Sequence, residues 1–185
     1  MKKVSALKLS IVGFGIALNI IGAFIALNLR LPIYLDSIGT ILVAFVLGPA
    51  YGVATGLCGS IVSGITFDIY SLYFAPVQIL VGLLSGLMFK KGFMKGIKMP
   101  LGVFAVSIFS SFVGAIIAAF VFDGITSSGS TYIVQLLSVL GVNKVISVFI
   151  VQLLTDYCDK FVAVSLVMPV ILGLPRNIKE KCVRS

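Results

Sequence analysis

From Leu9 to Leu29, and again from Leu101 to Phe122, the chain carries no charged side chain. A helix needs about 20 mainly apolar residues to cross a bilayer, so either run is long enough. Shorter apolar segments lie at about 37–48, 50–66, 74–90 and 158–174. The chain is 59% hydrophobic and only 11% charged, against roughly 25% charged in an ordinary soluble domain. The expected fold class is therefore an all-α integral membrane protein: a compact bundle of six transmembrane helices in one domain, residues 1–185, with the lipid bilayer as its surroundings. The 37–48 segment is too short to cross the roughly 30 Å hydrocarbon core as a straight helix. It must start deep, tilt, or lie buried among the others.

Charge orients the bundle. Of the 14 basic residues, eleven fall in three groups: Lys2, Lys3 and Lys8; Lys90, Lys91, Lys95 and Lys98; and Arg176, Lys179, Lys181 and Arg184. The positive-inside rule places all three groups, and hence both termini, in the cytoplasm. The net charge of +8 is then a matter of topology, with no nucleic-acid partner expected. Asp36, Asp68, Asp123, Asp156 and Asp159 cluster in or near the outer segments, leaving only Glu180 in the tail. Acids contribute little to insertion, so their one-sidedness needs another reason. The lysines before Leu9 could imitate a signal peptide, but the apolar run is long enough to span and is expected to stay as a helix.

Three cysteines at unrelated spacings suggest no disulfide framework, and with no histidine the chain lacks the commonest metal ligand and general base. No nucleophile–base pair, phosphate-cradling loop or metal-ligand cluster stands out. Neither catalysis nor a cofactor or metal is expected. Leu47-Gly48-Pro49 predicts a tight inner hairpin between the second and third segments, with proline opening the later helix. Residues 123–157 read as an outer loop with apolar pieces at 131–142 and 145–155, and the last helix is expected to start near Cys158. A start near 143 would carry Asp156, Asp159 and Lys160 toward mid-membrane, where charge is costly.

Small residues recur every four positions: Gly13 and Ala17; Gly52, Gly56, Ser60 and Gly64; Gly82 and Gly86; Ser107, Ser111, Ala115 and Ala119. Such stripes let helix backbones approach closely in a membrane. Most serve internal packing, and at least one is available to a partner.

Polar residues gather toward the outer side. Asn19 lies within the first span; Tyr34, Asp36, Asp68, Tyr70, Gln78, Asn143, Gln152 and Asp156 follow at or near segment ends. At such depths they must be paired or line a wet cavity. Tyr and Gln beside Asp suit a flat, hydrogen-bonding ligand. The tyrosines could instead form an interfacial belt, Asp156 and Lys160 a helix-end ion pair, and Asp36 the N-cap of the second helix.

The segments "ILVAFVLGPAYGVATGLCGSI", "APVQILVGLLSGLMFKKG" and "DKFVAVSLVMPVILGLPRNIKEK", together with the basic N-terminus, resemble the substrate-binding S components of energy-coupling factor (ECF) transporters over nearly the whole chain. The resemblance implies a six-helix protein of the prokaryotic plasma membrane that takes a vitamin-like or nucleoside-like molecule from outside. It also implies docking onto a membrane coupling subunit driven by two ATPase subunits. Small residues on the first helix form that family's docking face, and Gly13 and Ala17 match them, although alanine is more usual at the first position. The acid-rich mouth disfavours a multiply anionic ligand unless Arg30 and Lys144 counter it. A small ion- or proton-coupled secondary transporter using intramembrane Asp residues is the alternative expectation.

Overall fold

The computed structural model describes residues 5–175. Within them the chain is helical, with no strand. In order come α1 (Ala6–Asn28), α2 (Ile38–Leu47), α3 (Pro49–Thr66), α4 (Ile69–Tyr73), α5 (Ala75–Lys90), α6 (Met99–Phe120), α7 (Ser130–Val139) and α8 (Lys144–Gly173), with a 3₁₀ turn at Gly96–Lys98. Five of the six expected segments reappear with their ends shifted by less than one turn. Lys2, Lys3 and the basic tail from Arg176 onward lie outside the described residues.

The sixth segment is corrected. The last helix starts at Lys144 rather than near Cys158, because Asn143 caps it: its side chain accepts from Val145 N and Ile146 N. The 145–155 piece is thus the first half of α8, and the 131–142 piece forms α7, which packs along α8. The charges that argued against so long a helix lie inside it and are paired, with Lys160 Nζ 3.2 Å from both Asp156 and Asp159.

Helix α2 forms the centre. Residues 39–45 are all buried, and α1, α3, α5 and α8 each touch it. Its ten residues reach only about 15 Å, so of the three options for this segment, burial among the others is the one adopted. At its end Gly48 has φ 98° and ψ 173°, a conformation essentially confined to glycine. Pro49 then opens α3 at its first turn. Across the α3–α5 contact the glycine stripes mesh: a Cβ on Gly82 would sit 2.5 Å from the Gly52 carbonyl carbon.

Large apolar side chains cover the outside of the bundle as well as filling its core, and several polar groups are buried. Phe14, Phe24, Phe109, Phe112, Phe120, Leu154 and Leu172 point outward, while Asn19, Gln78, Gln152, Asp156, Asp159 and Lys160 are buried. Large apolar side chains outside and paired polar groups inside suit hydrocarbon, not water. Two stretches, Ala6–Asn28 and Gly96–Phe120, are long and apolar enough to cross a membrane.

Candidate ligand-binding site

The α1–α2 loop is where the site begins. Leu35 adopts a left-handed backbone, φ 53°, and its N–H donates to Asp159 Oδ1 at 2.7 Å. Ser37 Oγ donates to Asp159 Oδ2 at 3.0 Å. One carboxylate on α8 therefore pins the loop that carries Tyr34 and Asp36. The expected capping role of Asp36 is not realised: Ser37 is the N-cap residue of α2 and makes no side-chain cap bond. The orphan N–H groups at this helix start are met from another helix, since Asn19 Oδ1 accepts from Gly39 N at 2.7 Å and Thr40 N at 3.2 Å.

From Asn19 a polar relay crosses the bundle. Asn19 Nδ2 donates to Thr40 Oγ1 (2.7 Å), Thr40 Oγ1 to Gln78 Oε1 (3.2 Å), and Gln78 Nε2 to the Asp36 carbonyl (3.3 Å). On the far wall Asp156 Oδ2 accepts from Ser110 (3.0 Å) and Ser111 (3.2 Å) of α6. Its Oδ1 accepts from Gln152 Nε2 (3.3 Å) and Lys160 Nζ (3.2 Å). Such saturation allows a carboxylate to stay buried.

These groups enclose a cavity. Seven of the nine residues singled out for ligand binding line it: Tyr34, Asp36, Asp68, Tyr70, Gln78, Gln152 and Asp156. Asn19 stands behind Gln78, supporting it. Asn143 is corrected: it is exposed and spent on capping α8, which follows from the earlier helix start. Sequence reasoning missed Ser71, Phe74 and Lys160 as wall residues. Tyr70, Phe74 and Gln78 are spaced i, i+4, i+8, the one-face signal that could have found Phe74. Lys160 was read only as an ion-pair partner because the helix was expected to start beside it.

A loop closes the mouth. Asp68 Oδ2 accepts from Ser71 Oγ at 2.9 Å and Ser127 Oγ at 3.1 Å, and the Tyr34 hydroxyl meets Thr126 Oγ1 at 3.2 Å. The free space inside is only about 20 Å³, room for a water molecule. A vitamin-sized ring needs a pocket of several hundred Å³, so its entry requires the cavity walls to move apart. Aromatic rings continue the wall outward: Tyr34 and Phe74 lie 6.2 Å apart, and Tyr70 and Phe122 4.7 Å apart.

Burial, reinforced by the nearby negative charge of Asp159, pushes the Asp36 carboxyl up to about 6, against the opposing pull of Lys160 and the Gln78 amide. Burial also pushes the Tyr34 phenol up to about 12, so it stays neutral. Neither Arg30 nor Lys144 lines this cavity. Among the described residues no group of three His, Cys, Asp or Glu side chains is placed to hold a metal ion. The cavity offers carboxylate acceptors, two amides and aromatic faces, which is chemistry for binding. Comparison with protein-family models, with curated proteins and with solved structures found no match.

Proposed function

We propose that the chain is the substrate-capture component of an ECF-type importer. In this reading α1, α2, α3, α5, α6 and α8 are the six membrane-embedded helices, and both termini are cytoplasmic. The cavity faces outward and receives a vitamin-like or nucleoside-like small molecule, which is delivered through a membrane coupling subunit and two ATPase subunits. The observation that carries the proposal is the convergence of Tyr34, Asp36, Asp68, Tyr70, Gln78, Gln152 and Asp156 on one cavity, from four separate parts of the chain. A polar recess within an apolar helical bundle is what a membrane capture protein requires. Gly13 and Ala17 support the docking part: both are exposed, and a Cβ on Gly13 would meet nothing within 4 Å.

The test is native mass spectrometry of the gently purified protein, then thermal-shift screening against vitamins, nucleosides and their precursors. A ligand that binds only the folded state raises the melting temperature. Uptake into liposomes should require the coupling and ATPase subunits.

One observation favours a second reading. A cavity of about 20 Å³ lined by three carboxylates is also the size for a water or a small cation, as a cation-coupled secondary transporter would use. That reading predicts ion-driven flux by the chain alone, and no organic ligand in the screen.

A further inference from the structure

Charges around the cavity do not balance. Asp36, Asp68 and Asp156 line it, Asp159 stands behind the α1–α2 loop, and among the described residues Lys160 is the one cation in the wall. Three of the four carboxylates are well supplied. Asp156 has Lys160, Gln152 and two serines; Asp159 has Lys160, Leu35 N and Ser37; Asp68 has Ser71 and Ser127. Asp36 has the Gln78 amide beside it, which also serves the Asp36 backbone carbonyl, and shares the attraction of Lys160 with Asp156 and Asp159, to which Lys160 is directly paired.

The basic side chains at this end of the bundle are engaged elsewhere. Arg30 Nη1 donates to the Tyr132 hydroxyl at 3.1 Å, and Lys144 Nζ pairs with Asp123 at 2.5 Å. An anionic ligand would therefore meet uncompensated carboxylate. The same cavity is lined by Tyr34, Tyr70 and Phe74, and aromatic faces attract organic cations through the ring quadrupole. A cavity lined by three carboxylates, one lysine and aromatic rings is an arrangement for a cation with an apolar body, where a charge-assisted bond is strongest.

We propose that the ligand of this cavity is an organic monocation, an amine or amidinium carried on a small ring, with its N–H groups on Asp36 and its ring against Tyr34, Tyr70 and Phe74. The proposal rests on the capture reading above and names the class of molecule captured. Because Asp36 faces Asp159, Asp156 and Lys160 of α8, with Asp68 and the neutral Tyr34 on the same cavity, the ligand's positive charge replaces a proton that Asp36 would otherwise take up in mild acid.

The experiment uses three single-ring probes of one shape and different charge: benzamidinium, benzamide and benzoate. Thermal shift is read on the full chain in detergent, for the unaltered protein and for Asp36→Asn. Benzamidinium is expected to raise the melting temperature by about 2–4 °C at a tenfold excess over its Kd, with the other two at least tenfold weaker. The shift should disappear in Asp36→Asn, whose unliganded melting temperature stays at or above that of the unaltered protein, so that loss of binding is not loss of fold. It should also shrink between pH 7.5 and pH 5, where benzamidinium keeps its charge. Equal or greater stabilisation by benzamide or benzoate, or a full shift in Asp36→Asn, overturns the cation proposal and leaves the capture reading standing. No stabilisation by any of the three overturns the cation proposal; joined to ion-driven flux by the chain alone, it overturns the capture reading as well.

Discussion

At Asp36 folding and the proposed ligand binding pull in opposite directions. Burial pushes its carboxyl up to about 6, above the ordinary 3.8, so the folded state holds the proton more tightly than the unfolded chain does. Its stabilising contribution is complete below about pH 4 and is lost as pH rises through about 6. Asp36→Asn should thus raise the melting temperature of the empty protein by about 2–4 °C at pH 7.5 and leave it nearly unchanged at pH 4.5. A melting temperature that falls at both pH values would mean that Asp36 is a structural residue. Lys160 behaves in the opposite way. Lys160→Met strands Asp156 and Asp159 in the core, and breaking a buried ion pair from one side costs about 3–5 kcal/mol. Detergent-unfolding titrations should show that loss, and adding Asp159→Asn to Lys160→Met should cost less than the two changes summed. The identity of these polar residues was legible in the sequence, since charge inside apolar segments is expensive. Which carboxylate had partners and which lacked them was not, because serines 110 and 111 reach Asp156 from a helix more than forty residues away.

Among the elements, glycine decides which helices touch. Gly82→Leu drives a side chain into the α3 backbone at Gly52 and should destabilise the protein by at least about 1–3 kcal/mol, the usual cost of overpacking. Gly13→Leu adds a side chain where nothing stands. Melting temperature and ligand binding should stay unchanged, while co-purification with the coupling subunit and energised uptake are lost. Retained uptake in Gly13→Leu would remove this face from the docking proposal. The stripes were visible as i, i+4 repeats, and five segments as apolar runs, because composition reports what an element must avoid. The start of α8 was misjudged because its cost was reckoned for isolated charges. Asp156, Asp159 and Lys160 form a paired cluster with one net negative charge, held by hydroxyls that no local window contains.

For the whole molecule, the sidedness of the six-helix reading can be measured directly. In a background without native cysteines, Asp123→Cys and Gly96→Cys stand at opposite ends of α6 and its flanking turns. A membrane-impermeant maleimide added outside intact cells should label the first and not the second. Labelling of both from outside would end the proposed topology. The sequence by itself determined that the chain is helical, that its long runs suit a bilayer, and that its polar side chains gather near segment ends. Each of these follows from local apolarity and from the charge that a segment carries. Only the tertiary structure decided that α2 is enclosed by four helices, that Asn19 caps it from α1, that Asn143 serves α8, and that Asp36 shares one cavity with Asp68, Asp156 and Lys160. Those outcomes depend on which backbones can approach and which hydrogen-bonding groups meet across the bundle, and no single stretch of sequence contains both partners.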